Sequence, residues 1–279
     1  MSVMGMSVNF SHIERELDRL LRSLRGTVFE PAEVTRGGSN VQTDLDQRTD
    51  DFLRQSLRSI ADVPVMSEER PHEYFGRSGH CWIVDPIDGT LNAIAGTDDF
   101  AICVSLVDAA SLRSLAGAVY LPKSDVLFKA AHRQGASCDR NALGPTQAGA
   151  WQQVKDRQKI VSFGVPKDGP AVARRMSDAL RELYAKGWVT RQTGAASIDI
   201  CRVANGSWSG FFEYGLMYWD FAAACLIAEE AGCSVHAVPS APHEPDQMPL
   251  EYDLIVARTP EIMSEISTAI GLANPASHE

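Results

Sequence analysis

The chain has 279 residues, 44% of them hydrophobic and 22% charged, which suits a globular protein with one large domain or two joined lobes. Its formal net charge is −10 and its lysines and arginines are not clustered, which argues against polymeric nucleic acid as a partner. A phosphorylated substrate would therefore have to be met by bound cations or by backbone amides.

The cysteines and the N-terminal segment indicate the compartment. Six cysteines are scattered singly, with no CxxC pair, so we expect free thiols in a reducing environment. Residues 1–12 lack a basic start and a sustained apolar segment, and no run elsewhere approaches the roughly 20 apolar residues of a membrane span. The sequence predicts a cytoplasmic protein with no membrane partner.

The N-terminal half is predicted to begin with two helices. Residues 11–14, SHIE, have the form of a capping box and open an amphipathic pattern. The RGGSN segment at 36–40 interrupts that pattern, and a second helix is predicted after Asp46. Its predicted inner face consists of Phe52, Leu53, Leu57 and Ile60. Short strands are then predicted near 62–66, 81–84, 100–107, 115–121 and 126–130.

The polar stretch 139–157 is the predicted boundary between two lobes, 1–145 and 146–279. Beyond it, strands and helices alternate, which predicts helices packed against a sheet. The strands are predicted at 159–163, 188–191, 208–214 and 253–257, and the helices near 170–186, 195–204, 220–231 and from 260 onward. The proline-rich stretch 239–249 is predicted to be a surface loop.

Two aspartates follow the apolar run 81–84 in the segment DPIDGT. A carboxylate costs several kcal/mol to bury without a partner, so Asp85 and Asp88 need cations. Mg²⁺ is the natural candidate because it takes oxygen ligands and keeps room for water and phosphate. Gly89 allows a close backbone approach, and the amides of Gly89 and Thr90 could form an anion nest.

Further acidic residues occur at Asp46, at Glu68-Glu69 after the apolar VPVM, and at Asp220 after a predicted strand. Taken singly, each has a simpler explanation. Glu68 and Glu69 would be solvated surface charges, and Asp46 and Asp220 would favour helix starts by roughly 1 kcal/mol. Their joint pattern with DPIDGT favours one acidic site.

The segments VMSEE, WIVDPIDGTLNA and YWDFAAACLIAEEAG, in this order, resemble the inositol monophosphatase family of Mg²⁺-dependent, lithium-sensitive phosphatases. The resemblance extends over nearly the whole chain, through VQTDLDQRTDDFL, GAVYLPKSDVLFKAAHRQGA and RQTGAASIDICRVANG. It implies a mixed α and β fold, an αβαβα layered sandwich, and a homodimer. It also implies two or three Mg²⁺ ions per site, with Mn²⁺ as a substitute.

The resemblance assigns metal ligands residue by residue. Glu68 would ligate an ion and take part in catalysis, and Asp85 would bridge two ions. The carbonyl of Ile87 would complete the first ion site. Asp88 and Asp220 would hold the second ion.

The resemblance also implies catalytic and substrate contacts. Asp46 and Thr90 would orient or deprotonate the attacking water. Gly89 and Thr90 would present amides to the phosphate, and Ala196 and Glu213 would face substrate hydroxyls. Glu69, beside the ligand Glu68, is a weaker candidate for a supporting role.

The predicted activity is hydrolysis of a small polyol or sugar phosphate, with inositol monophosphate first because Asn92 matches that branch. Fructose 1,6-bisphosphate, 3′-phosphoadenosine 5′-phosphate and histidinol phosphate are alternative substrates in the same family. A non-catalytic binding or assembly protein is an alternative of a different class. The chain departs from the family's usual residues at Ala93, Met217, Ala224 and Cys233, which leaves the substrate less defined than the reaction.

Overall fold

The structure is a computed structural model and describes residues 9–25, 34–37, 40–71, 78–144, 159–164, 169–240 and 249–272. Three segments of the sequence interpretation lie partly outside the described residues: the RGGSN segment, the predicted lobe boundary and the proline-rich loop.

The described residues form seven helices. Their bounds are α1 (Phe10–Ser23), α2 (Asp44–Ile60), α3 (Thr90–Ala95), α4 (Gly169–Ala185), α5 (Ala196–Ala204), α6 (Tyr218–Glu230) and α7 (Pro260–Ile270). None of the helices in the described ranges combines the length and the apolar character that a membrane span requires.

The strands form three sheets. Their bounds are β1 (Val34–Gly37), β2 (Asn40–Thr43), β3 (Val65–Ser67), β4 (His80–Asp88), β5 (Ala101–Asp108), β6 (Arg113–Leu121), β7 (Val126–Ala131), β8 (Ala136–Cys138), β9 (Asn141–Leu143), β10 (Ile160–Phe163), β11 (Val189–Arg191), β12 (Gly210–Met217), β13 (Ser234–Pro239) and β14 (Glu251–Ala257). The seven-stranded sheet runs in sequence order from β3 to β9, and only its β3–β4 pair is parallel. The five-stranded sheet has the order β11-β10-β12-β14-β13, with β10 parallel to both neighbours. Strands β1 and β2 pair separately.

The two large sheets and the helices stack as five layers. Helices α1 and α2 pack with one face of the seven-stranded sheet, and α4 and α7 pack with the five-stranded sheet. Helices α5 and α6 lie in the core between the two sheets. A β-carbon added at Gly117 of β6 would lie 3.0 Å from the α-carbon of Ala223, so α6 sits directly on that strand. The predicted αβαβα sandwich is confirmed.

The two sheets come from different halves of the chain, on either side of residue 145. The core between them nevertheless draws on both halves, for example Met66 from one and Phe211 from the other. The division into lobes 1–145 and 146–279 stays a prediction.

Both N-terminal helices begin earlier than predicted. The cap of α1 is Asn9 and not a residue of SHIE, because the Asn9 side chain accepts the amide of His12. Helix α2 begins at Asp44, and Asp46 therefore lies inside its first turn instead of before it.

The inner face of α2 also differs in one position from the predicted set. Leu45, Leu53 and Leu57 are buried, at the spacing of one helix face. Phe52 is 38% exposed because it lies about 100° around the helix from Leu53, outside that face. Hydrophobicity alone does not distinguish two neighbouring apolar residues of which only one faces the core.

Several strands carried too little periodicity to be predicted. Strands β1, β2, β8 and β9 have three or four residues each. Strand β13 lies at the edge of its sheet and is only half-buried, and its last residue, Pro239, is the first residue of the predicted loop. Pairing with neighbouring strands, and not local composition, defines these elements.

Candidate metal centre

A bulge in β4 brings Asp85 and Asp88 to one site. Residues three apart in a regular strand point to opposite faces. In β4 the pairing shifts so that Asp85 pairs with Cys103 and Asp88 with Ala101, which sets three steps on β4 against two on β5. This bulge changes the direction in which the Asp88 side chain points. The strand does not end at the first aspartate, as the apolar run suggested, but continues to Asp88.

The bulge has an internal hydrogen bond. The amide of Ile87 donates to Oδ1 of Asp85 at 2.9 Å, and Asp85 itself is buried. Aspartate favours such local bonds to a backbone amide two residues later. This contact fixes the orientation of the Asp85 carboxylate at the point where the strand changes register.

Three carboxylates from separate elements converge around this bulge. Glu68 follows β3, Asp85 lies in β4 and Asp220 lies in the first turn of α6, and each offers an oxygen within 4.8 Å of the others. Asp85 and Asp220 are buried and Glu68 is half-buried. The amide of Met217 donates to Oδ2 of Asp220 at 3.2 Å and helps to orient it.

The electrostatics of this trio fit a hard divalent cation. Burial, followed by repulsion from Glu68, Asp88 and Asp220, raises the pKa of Asp85 well above its ordinary value. Grouped oxygen donors in a buried position are the ligands that Mg²⁺ selects, and bound cations remove the repulsion. The residues present therefore fit the metal that the sequence predicted.

The fourth predicted ligand, Asp88, is held from the other side. Its Oδ2 accepts the backbone amide of Ser197 at 2.8 Å and the Ser197 hydroxyl at 2.5 Å. Ser197 lies in the first turn of α5 and is fully buried. Asp88 is buried too, so these bonds join the β4 motif to the helix layer between the sheets.

Asp46 and Thr90 are brought together as predicted. The Thr90 hydroxyl lies 3.1 Å from Oδ1 of Asp46 and 3.1 Å from the carbonyl oxygen of Ile87. The other Asp46 oxygen accepts the amide of Thr43 at 2.8 Å and also the Thr43 hydroxyl. Burial is the largest influence on Asp46 and raises its pKa despite these bonds.

Glu69 lies between the trio and helix α2. Its Oε2 accepts the side-chain amide of Gln47 at 2.6 Å. Burial, and then the charges of Asp46 and Asp50, raise the pKa of Glu69 to about 7. The geometry gives Glu69 a place beside the site and not within the described trio.

Gly89 is the first of the two residues whose amides are predicted to bind the phosphate. Its φ is +93°, and an added β-carbon would lie 2.9 Å from the carbonyl oxygen of Asp99 and 3.2 Å from the β-carbon of Ala195. Glycine is required here because the backbone is left-handed and because these neighbours leave no room for a β-carbon. The chain then enters α3 at Thr90.

Asn92, on the short helix α3, links the DPIDGT segment to the approach to α5. Its side-chain amide donates to the carbonyl of Asp99 at 2.6 Å and to that of Thr193 at 2.9 Å. The residue that suggested the inositol monophosphatase branch therefore has a structural contact as well.

Glu213 precedes a second bulge, in β12. The pairing partner changes from Leu254 at Glu213 to Tyr252 at Leu216, again three steps against two. Glu213 is 5% exposed and lies beside Gly164, the residue after β10. A β-carbon added at Gly164 would lie 1.8 Å from the carboxyl carbon of Glu213. Glycine is needed at this position to leave space for the carboxylate.

The four departures from the family pattern differ in their surroundings. Ala93 and Ala224 are buried in the hydrophobic core, so they affect packing. Cys233 is half-buried beside the core. Met217 immediately precedes α6, and its amide contacts Asp220 as described above.

Ala196, a predicted substrate contact, opens α5 and is 8% exposed.

The cysteines are free, as predicted, and four of them are buried. Cys103 pairs with Asp85 across β4 and β5, and its burial, with the charges of Asp88 and Asp85, raises the pKa of its thiol well above the ordinary value. A protonated buried thiol is a poor nucleophile. Cys103 therefore lies at the site without taking part in its chemistry.

Sequence reasoning missed three supporting residues: Thr43, Gly164 and Asp199. The Thr-x-x-Asp spacing from Thr43 to Asp46 is a capping-box pattern that could have revealed the first. Asp199 is buried in α5, contacts the Thr193 hydroxyl, and has a pKa raised to about 8, mainly by burial. An acid within the apolar pattern of ASIDIC was the available signal for it.

The fold and the acidic site together define a layered α/β protein with a centre suited to divalent cations. The family model described as "Inositol monophosphatase family" matches residues 12–270, and the chain belongs to this family.

The relatives carry more than one kind of name. A "Fructose-1,6-bisphosphatase/inositol-1-monophosphatase" of Aquifex aeolicus is 30% identical over 77% of this chain and 78% of its own length. A "Nus factor SuhB" of Salmonella typhimurium is 30% identical over 73% of this chain and 74% of its own length. The crystal structure of extragenic suppressor protein suhB from Bartonella henselae has a TM-score of 0.75 and 23% identity, with 93% and 97% of the two chains covered. This last similarity supports the fold.

Replacing Asp85 tests the electrostatic description of the trio. Asp85→Asn removes one buried charge, so we expect a thermal unfolding temperature in EDTA equal to or above that of the wild type. Mg²⁺ at about 100 times its Kd should stabilise the wild type by about 2.7 kcal/mol and the variant by clearly less. The control is Asp51→Asn, which changes an exposed acid on α2. An Asp85→Asn variant with a full Mg²⁺ response would contradict the assignment.

Asp199 gives a pH prediction. Its pKa is raised from 3.8 to about 8 in the folded protein. Between these values the unfolded chain has lost the proton that the folded protein keeps, so stability falls as pH rises and levels off above about pH 8. Asp199→Asn should reduce this fall by up to the limiting slope of one group, about 1.4 kcal/mol per pH unit, and the raised pKa of Glu69 leaves a residual fall.

The measurement is urea unfolding of the wild type and Asp199→Asn between pH 5 and pH 9 in EDTA. Asp51→Asn should keep the wild-type slope. An unchanged slope in Asp199→Asn would show that its carboxyl group is already ionised in the folded protein at neutral pH.

Proposed function

We propose that this protein is a Mg²⁺-dependent phosphomonoesterase that acts on a small polyol or sugar phosphate, with inositol monophosphate as the first candidate. One observation carries the proposal: the convergence of Glu68, Asp85 and Asp220 beside the hydrogen-bonded pair Asp46 and Thr90. A cation centre next to a potential general base is what hydrolysis of a phosphate monoester needs.

The ligands in this proposal follow the family pattern. Glu68, Asp85 and the carbonyl of Ile87 would hold one ion, and Asp85, Asp88 and Asp220 would hold another. Mg²⁺, when bound, neutralises charge on the phosphate oxygens and acidifies the attacking water. Two or three ions, Mn²⁺ as a substitute, and inhibition by Li⁺ are parts of the same proposal.

Asp46 is the residue we assign to take the proton from the attacking water. Its Oδ1 contacts only the Thr90 hydroxyl among the hydrogen bonds given above, whereas its Oδ2 is occupied by Thr43. The raised pKa of Asp46 makes its carboxylate a stronger base than a solvated one. Thr90 would orient the water, and the amides of Gly89 and Thr90 would bind the phosphate.

Glu213 and Ala196 are the proposed contacts to the rest of the substrate. A carboxylate accepts hydrogen bonds from several hydroxyls, which suits a polyol. Glu213 precedes the β12 bulge, and the missing side chain at Gly164 leaves the space that its carboxylate occupies. Recognition through Glu213 is compatible with a hydroxyl-rich leaving group.

A second candidate function has support from the relatives. The Salmonella protein named as a Nus factor is as similar to this chain as the Aquifex phosphatase, at 30% identity each. A binding role in transcription would use a surface and would not require the carboxylate trio. The retention of Glu68, Asp85, Asp88 and Asp220 favours catalysis, since unneeded buried acids lower stability. The homodimer, the cytoplasmic location and the absence of a nucleic-acid partner stay predictions.

The test is phosphate release with and without Mg²⁺ from inositol 1-phosphate, fructose 1,6-bisphosphate, 3′-phosphoadenosine 5′-phosphate, histidinol phosphate and glycerol 2-phosphate. We expect Mg²⁺-dependent release with a preference for inositol 1-phosphate. Asp46→Asn should lower kcat by about 100-fold or more, the usual contribution of a general base. Asp51→Asn, on the same helix, should change kcat by less than twofold, roughly the effect of an exposed charge.

Two outcomes would contradict the proposal. Release that does not depend on Mg²⁺ would remove the metal centre from the mechanism. No release from any of the five compounds, by protein shown to bind Mg²⁺, would favour the binding role instead.

Gly164 provides a separate test of substrate recognition. Gly164→Ala should displace Glu213 and raise KM for inositol 1-phosphate about tenfold, the effect of losing one hydrogen bond to a charged group. KM for 4-nitrophenyl phosphate, which has no hydroxyls for Glu213, should change little. Gly144→Ala is the matched control because a β-carbon there meets open space.

A double variant makes this prediction specific. Glu213→Asp shortens the side chain, so adding Gly164→Ala in that background should have a smaller effect than in the wild type. Equal effects in both backgrounds would show that the added methyl group acts elsewhere. An equal rise in KM for both substrates would point to a general distortion of the site.

A further inference from the structure

Ser197 makes two contacts with one oxygen of the Asp88 carboxylate. Its amide and its hydroxyl both donate to Oδ2, at 2.8 Å and 2.5 Å. The Ser197 side chain has no exposure to solvent, and Asp88 is 8% exposed. Two short bonds to the same oxygen in a buried setting fix the carboxylate in rotation as well as in position.

The two donors come from a different element than Asp88. Asp88 belongs to β4 and Ser197 to α5, so the bonds connect residues 109 positions apart in the sequence. Among the described residues, Asp88 is not part of the trio whose oxygens lie within 4.8 Å of one another. Its place relative to that trio is therefore set by Ser197 in addition to the β4 bulge.

We propose that Ser197 is a positioning residue for the second metal ion: by donating two hydrogen bonds to Oδ2 of Asp88, it holds this candidate ligand in one orientation. This inference rests on the proposed function and adds a residue to it. Ser197 would act on the ion through Asp88, and its side chain also contacts the Cys103 thiol.

The chemistry of a ligating carboxylate supports this role. A carboxylate that carries no hydrogen bonds can turn or bind an ion through both oxygens. Mg²⁺ requires near-ideal octahedral geometry, so a ligand that presents one oxygen in a fixed direction binds it better than a rotating one. Hydrogen bonds to ligating groups commonly change metal affinity by about 10-fold to 100-fold when they are removed.

The hydroxyl and the amide have different consequences for α5. The capping position of this helix, Ala195, has no side-chain bond to the helix amides, so Asp88 also satisfies an amide of the first turn. Ser197→Ala leaves that amide contact in place and removes only the hydroxyl. The substitution therefore separates the effect on Asp88 from the capping of the helix.

The experiment is isothermal titration of the full-length protein with Mg²⁺ and, separately, with Mn²⁺. Asp88→Asn first identifies the binding event that depends on Asp88. That event should weaken about tenfold in Ser197→Ala, at the low end of the range for such residues because the amide bond remains. The other binding event should weaken by less, because it shares the bridging Asp85 with this event but does not use Asp88.

The matched control is Ser267→Ala. The Ser267 hydroxyl is buried but has no hydrogen-bond partner in the described structure. Ser267→Ala therefore removes the same hydroxyl group without breaking a hydrogen bond. Its ion affinities should equal those of the wild type. Ser197→Ala added to Asp88→Asn should leave the remaining binding event unchanged, because Ser197 would act on the ion through Asp88.

The outcomes distinguish this inference from the proposed function. An unchanged affinity in Ser197→Ala, with normal binding by the wild type, overturns the role of Ser197 and leaves the metal centre standing. A Ser197→Ala effect of equal size in the Asp88→Asn background also overturns it. A wild-type protein that binds neither ion overturns the inference together with the proposed metal centre.

Discussion

The mutual repulsion of buried carboxylates is the constraint on which the site depends. Glu68, Asp85 and Asp220 come from three elements and share a volume in which one charge is already unfavourable. Buried carboxylates stay this close only where packing elsewhere holds the elements to which they belong. Here these elements are β3, β4 and α6, and each is anchored in a core that lies between or against the large sheets. Divalent cations bound between these carboxylates would relieve this repulsion.

Local irregularities place the functional groups within this regular framework. Both sheets contain a bulge beside a predicted site residue, one between Asp85 and Asp88 and one after Glu213. The β4 bulge changes the face to which Asp88 points without ending its strand. Gly89 and Gly164 complete the arrangement by leaving space where a β-carbon would meet a neighbouring group. The sandwich supplies rigidity, and the bulges and glycines supply the geometry that chemistry needs.

The layer between the sheets connects the two halves of the site. Asp88 of the first sheet accepts two bonds from Ser197 of α5, and Asn92 donates to the carbonyl of Thr193 just before that helix. Helix α6 carries Asp220 and lies against Gly117 of the first sheet. The candidate metal ligands from both halves of the chain are therefore held by one continuous core. Ion binding and the packing of α5 and α6 are expected to be coupled for this reason.

The sequence by itself determined the residue types, their order and the family. DPIDGT after an apolar strand, SEE before it and WD after it predict an acidic site because buried carboxylates require cations, and residues 12–270 match the family model. The layered fold also followed from that resemblance. Only the tertiary structure decided which neighbours support these residues. Thr43, Gly164, Ser197 and Asp199 act through contacts with residues in three dimensions, and local patterns carry little information about such contacts. The β4 bulge was hidden for the same reason: strand pairing, not the residues of β4 alone, shows that three steps on one strand match two on the next.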